Sequence, residues 1–196
     1  MTAMVVYLAI LAAVVFYAVS IYNGLVALRN RFDNAFAQID VQLQRRYELI
    51  PNLVEAAKAY LGHEKETLSQ VIAARNQAAG LEKALAANAA SADAMTRFTQ
   101  AEGALNSALG RLMMVAEAYP DLKADATIAD LMEELKATEN RVGFARQSFN
   151  DAVMFYNISR EQFPNNLLAG VCGFQRAMAL EIPNVEAREP VRIRMS

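Results

Sequence analysis

Few side chains here can do chemistry. The 196 residues include one histidine, His63, and one cysteine, Cys172. A thiol–imidazole pair is the only nucleophilic arrangement these two could form. Nothing in the sequence brings them together, and Cys172 lies in the apolar run GVCGF (170–174), which suits a packed thiol better than an activated one. A di-iron site in a helical bundle needs Glu-x-x-His on two helices plus two further glutamates. Tyr60, not Glu, stands three residues before His63. Zinc needs His and Cys clusters that are absent, and no glycine-rich loop could cradle a phosphate. The expectation is no catalytic residue, no metal and no cofactor.

The remaining polar candidates lie inside helical patterns. Glu102 falls on an apolar stripe. Either Ala101 takes its core place and Glu102 sits at the margin, or Glu102 is a buried functional carboxylate. Glu139, Asn140, Arg141, Asn150 and Asn157 lie near another stripe. They read as solvated faces and register-fixing hydrogen bonds between helices, or as a polar recognition surface.

The elements that would position them are helical. Ala, Leu, Glu, Gln and Arg are plentiful, Gly and Pro are scarce, and strand-like alternation is nearly absent. A net charge of -2 without a strongly basic stretch excludes a general nucleic-acid binder. Met4 to Tyr22 is an uncharged, mostly apolar run, and charge stays absent through Leu28. As a helix it spans roughly 28 Å, about the hydrocarbon thickness of a bilayer. Met4, Leu8, Leu11, Val15, Val19 and Tyr22 mark the expected span, with the bilayer as its partner. A cleaved signal peptide would need basic residues before Val5, although Ala18-Val19-Ser20 imitates a cleavage site. Arg29 and Arg31 flank the span on its C-terminal side only. The positive-inside rule then puts the N-terminus outside and the rest in the cytoplasm.

Behind the span, Leu25, Leu28, Phe32, Phe36, Ile39, Leu43, Tyr47, Ile50, Val54, Ala57 and Leu61 recur at threes and fours. The pattern predicts that the membrane helix continues as an amphipathic helix to about Gln77. Pro51 should kink it by removing a donor and crowding the Tyr47 carbonyl, and Gly62 is a second weak point. Residues 80–91 read as a connection, with Ser91 as the cap of a return helix ending before Pro120. Thr127 and Asp130 suggest a capping box for a third long helix. Its heptad series runs Ile128, Leu131, Leu135, Thr138, Val142, Ala145, Phe149, Ala152, Tyr156, Ser159, Phe163. A fourth, shorter helix is expected over Leu167–Glu181.

The expected class is therefore all-α: an N-terminal transmembrane helix (1–22) continuing into an antiparallel up-down bundle of four-helix type (23–181), then an extended tail (182–196). A first helix reaching Gln77 would outrun its return helix and leave 25–50 as a stalk. The stripe Leu25, Leu28, Phe32, Phe36, Ile39 and Leu43 would then need cover. The fourth helix could reach part of it, and a reversal of the chain at Pro51 would let one chain cover more; otherwise the cover is a second copy, and a homo-oligomer is the expectation.

Four segments are recognisable: YNGLVALRNRFDNAFAQIDVQLQRRYELIPNLVEAAKAY (22–60), LGRLMMVAEAYPDLKA (109–124), ATENRVGFARQSFNDAVMFYN (137–157) and FPNNLLAGVCGF (163–174). On these the chain resembles the LemA family, with Phe32 and Met113 as mild departures that affect packing only. The resemblance implies one N-terminal membrane helix, a helical bundle, an outside N-terminus and a bacterial inner membrane. It carries over no catalytic residue. The function expected is a membrane-anchored, non-enzymatic structural or adaptor protein that meets other, unidentified membrane proteins. The alternatives are an enzyme using Glu102, Glu139 or Arg141 in an unrecognised cleft, and a secreted soluble bundle cleaved near Ser20.

Overall fold

The computed structural model describes residues 1–86 and 91–180. Six helices follow one another: α1 (Thr2–Lys58), α2 (Lys65–Ala86), α3 (Ala92–Glu117), the single turn α4 (Pro120–Ala124), α5 (Ala126–Glu161) and α6 (Asn165–Val171). No strand occurs among the described residues. The fold is the expected all-α bundle on an apolar helix.

α1 has two parts in one uninterrupted helix. Its N-terminal third is almost wholly apolar and none of an 18-residue window of it is buried. From Leu25 onward one face enters the core: Leu25, Phe32, Phe36, Ile39, Leu43, Tyr47, Ile50, Val54 and Ala57 are all buried. α5, 36 residues long, runs antiparallel along this part. At 1.5 Å per residue it reaches about 54 Å, as far as Asn23 to Lys58 extends. Phe149 meets Phe32 and Phe36 edge-on at 6.4 and 5.7 Å, and Tyr156 meets Phe32 at 5.1 Å. Leu135, Val142 and Phe149 are buried as the heptads required. α2 and α3 form a second antiparallel pair that packs on the distal half of α1 through α2.

Four expectations are corrected. The first helix stops at Lys58 instead of running to Gln77. Leu61 still fills a core place (0% exposed), but it does so from a turn whose amides bond back to Ala57. The apolar beat therefore survives a break in the backbone. α2 runs through Gly80 to Ala86, well into the expected connection. The cap of α5 is Asp125, whose carboxylate accepts the Ile128 amide at 3.0 Å, in place of Thr127. The fourth helix is only Asn165–Val171. Gly173 adopts φ +73°, and the Phe174 amide returns to the Ala169 carbonyl at 3.0 Å, a six-to-one closure that ends the helix. Residues 174–180 then continue as an extended strap. Ser91 caps α3 as expected. The tail 182–196 lies outside the described residues.

Because α5 runs along α1 for the whole length over which α1 has a buried face, there is no stalk. Leu25, Phe32, Phe36, Ile39 and Leu43 are at most 3% exposed within one chain, and Leu28 is half-buried. The stripe expected to recruit a second copy is already covered.

Candidate functional site

Pro51 shapes the first polar cluster. It sits inside α1 and brings no N–H, so the Tyr47 carbonyl lacks its helical donor. Arg75 of α2 supplies the missing bond from Nε at 2.9 Å, with its guanidinium 6.0 Å from the Tyr47 ring centroid. The Tyr47 hydroxyl in turn donates to Glu102 Oε1 of α3 at 2.6 Å. Arg46 Nη1 donates to the other oxygen, Oε2, at 2.9 Å, and Arg46 Nη2 donates to Asn106 Oδ1. Arg46 is 3% exposed and Glu102 0%.

Both Glu102 oxygens are thus engaged, and the charge is balanced out of water. Burial, then the Glu102 charge, hold the Tyr47 hydroxyl far above the ordinary phenol range. This is a tie between α1, α2 and α3. Of the two readings of Glu102, burial is the correct one, and its partners come from the bundle itself. Arg46, Asn106 and Arg75 were not foreseen. The signal for Arg46 was Leu53, seven residues on and off the main stripe. The two mark a second buried face of α1, from which Arg46 reaches α3.

α3 and α5 splay apart beside this tie. Their gap is an open cleft of about 830 Å³, lined by Arg46, Asn106, Leu109, Met113, Leu135 and Glu139 among others. Arg46 Nε is buried without a partner. Glu139 lies at this cleft, but Arg141 does not. Its guanidinium reaches Glu134 at 3.5 Å, and Glu134 also takes Arg45 of α1 at 2.8 Å. Asn140 is exposed. Glu102, Glu139 and Arg141 therefore do not converge. Among the described residues no group of three or more His, Cys, Asp or Glu is placed to hold a metal. Cys172 is exposed, not packed as its apolar neighbours had suggested.

Asn150 and Asn157 have a definite partner. Asn157 Nδ2 donates to the Ala177 carbonyl at 2.9 Å, and its Oδ1 accepts the Ala177 amide at 3.0 Å. Asn150 treats Leu180 the same way, at 3.3 and 2.8 Å. Each side-chain amide thus imitates a neighbouring strand. The spacing is commensurate: seven helical residues rise about 10.5 Å, and three extended residues span about 10 Å. Tyr156 Oη donates to the Gln175 carbonyl and Arg160 Nε to the Phe174 carbonyl, each at 2.8 Å. α5 therefore reads an extended backbone without regard to its side chains, and here it reads the chain's own strap.

A third surface lies where α1 and α5 leave a shallow hollow of about 570 Å³, bounded by Val41, Gln42, Arg141 and Phe144. Phe144 is 73% exposed and Val41 60%. Two large apolar groups beside an arginine form an uncovered mixed patch midway up the bundle.

The expected span residues Met4, Leu8, Leu11, Val15, Val19 and Tyr22 are all exposed on α1, the one helix among the described residues long and apolar enough to cross a membrane. Arg29 and Arg31 are exposed just beyond them, and Arg31 lies 5.9 Å from the Phe155 ring centroid.

The chain is similar to known proteins over most of its length. Magnetosome proteins MamQ 1 and MamQ 2 of Paramagnetospirillum magneticum are each 28% identical over 187 aligned residues, covering 87% of this chain and 69% of the relative. Magnetosome protein MamQ of Magnetospirillum gryphiswaldense is 26% identical over 170 residues, covering 79% of this chain and 62% of the relative. Residues 35–195, which take in the Arg46–Glu102 tie and the asparagine pair, match the LemA family. With most of its length so matched, the chain belongs to the LemA family.

Proposed function

We propose that this protein is a single-pass membrane adaptor whose bundle holds other membrane proteins and performs no catalysis. The observation that carries the reading is the continuity of α1. The helix that offers an uncovered apolar span at its start becomes, without a break, the spine of the bundle core. A helix shared in this way fixes the bundle to the membrane as a rigid body, which suits holding a partner in place. The polar clusters support the same reading. Glu102 is saturated by Tyr47 and Arg46, and Asn150 and Asn157 are spent on the strap.

The exposed Arg29 and Arg31 after the span favour an outside N-terminus and a cytoplasmic bundle at a bacterial inner membrane. The MamQ relatives are magnetosome proteins. For this chain the patch of Val41, Arg141 and Phe144 is the surface offered to a partner.

The test is photo-crosslinking in intact membranes from position 144, with position 83 on α2 as a reference. A membrane protein captured reproducibly from 144 and not from 83 is expected. Capture of no protein from 144, Val41 or Arg141 contradicts the adaptor role. A reporter fused after Ser196 tests the orientation, which is reversed if a periplasm-specific reporter is active there.

A further inference from the structure

We propose that the turn at the foot of the bundle, residues 163–173, is a second membrane contact, an interfacial foot whose side chains Phe163, Leu167 and Val171 enter the boundary between headgroups and acyl chains. The inference rests on reading α1 as a retained span.

The level of the foot follows from two ring contacts. Tyr156 of α5 meets Phe32 of α1 at 5.1 Å. Below that contact α1 falls about 10 Å from Phe32 to Leu25, and α5 falls about 8 Å from Tyr156 to Glu161. After the turn the chain comes back against α1, where Phe174 meets Tyr22 edge-on at 5.5 Å. The turn is thus level with Tyr22 to Leu25, inside the uncharged run that lasts to Leu28. Everything before it on α1 is the span.

At this level apolar side chains face outward. Phe163 is 80% exposed, Leu167 61% and Val171 90%. Leu167 and Val171 stand four residues apart on α6 and so share one face, and Phe163 lies in the turn two residues before that helix begins. Ala169, 1% exposed, packs the opposite face into the bundle. Basic groups lie just above or beside this level: Arg29 and Arg31, about 6 and 9 Å beyond Leu25 on α1, Arg160 at the end of α5, and Arg176 on the strap. The acids there are Asp33 and Glu161, the latter paired with Arg176 at 3.6 Å. An apolar face flanked by an excess of arginine suits the interface of a membrane with anionic lipid. Continuity with the span favours lipid over a second protein as the occupant.

The chain contains no tryptophan, so a single introduced one reports its own surroundings. Phe163→Trp and Val171→Trp are each made in the full chain and placed in vesicles of anionic and zwitterionic lipid, with or without brominated acyl chains. Phe16→Trp serves as a reporter within the span, and Phe144→Trp as one on the exposed flank. The expected result is blue-shifted emission from 163 and 171 that brominated lipid quenches, more than at 144 and less than at 16. Quenching at 16 with 163 and 171 behaving like 144 overturns the foot and leaves the span standing. No quenching at 16 means that the span itself has failed, and the foot with it. Blue-shifted but unquenched emission at 163 and 171 means that protein covers the face, which also overturns the proposal.

Discussion

Glu102→Leu tests the bundle's internal tie most sharply. The substitution leaves the Arg46 guanidinium, 3% exposed, without its counter-charge, and leaves the Tyr47 hydroxyl without its acceptor. Breaking a buried ion pair from one side costs about 3–5 kcal/mol. An orphaned buried hydroxyl adds about 1–3 kcal/mol. Against a domain stability of about 5–15 kcal/mol, the loss is a large share of the whole. Arg46→Met should cost a similar amount, because it strands the carboxylate instead. The double variant removes both charges and leaves only polar orphans at Tyr47 and Asn106, so about 1–3 kcal/mol is expected. The assay is reversible urea unfolding in mild detergent, followed by circular dichroism, for all four members of the cycle. Strong non-additivity is the signature. If the two single costs add within about 0.5 kcal/mol, the side chains are not coupled and the tie as described is wrong.

Other consequences can be measured in the same preparation. Phe149→Ala should cost about 3–5 kcal/mol, since its ring fills the gap between Phe32 and Phe36; a loss under about 1 kcal/mol would mean that α5 is rotated from this placement. Asn157→Ala removes two bonds to Ala177, each worth about 0.5–1.5 kcal/mol, so the strap should become cleavable by protease while α1 and α5 stay protected. Arg75→Ala should destabilise the natural chain but matter less alongside Pro51→Ala, which restores the helical donor to the Tyr47 carbonyl; equal effects in both backgrounds would refute that account. The Tyr47 phenol is raised in the fold, so the folded state keeps its proton where the unfolded chain, near its ordinary value of 10.0, gives it up. Its stabilising effect is complete below pH 10 and shrinks as pH rises above that. Tyr47→Phe should flatten this alkaline loss, as read from unfolding midpoints between pH 9 and 11.

The long helices were legible because each carries a stripe that only one partner face could satisfy. Leu135, Val142, Phe149 and Tyr156 kept their heptad register, and all four are buried. The break after Lys58 was hidden because Leu61 stays on the beat from outside the helix, and Gly62 is a weak signal, costing about 1 kcal/mol in a helix. That misplaced end created the stalk, and with it the case for a second copy. The seven-residue spacing of Asn150 and Asn157 was visible, but their partner was not, since Leu167–Glu181 also reads as a helix. Only Gly173, with its positive φ, turns that segment back into an extended strap. The pairing of Arg46 with Glu102 could not be read from either residue. It depends on α1 and α3 meeting at one level, which the connection lengths decide.

The central claim is that α1 is a retained membrane span continuous with the bundle. Mass spectrometry of the intact protein, recovered from membranes after an alkaline wash, tests it directly. The account predicts that the protein stays with the membrane and that its mass includes residues 1–22. A soluble chain beginning near Ile21 would contradict it.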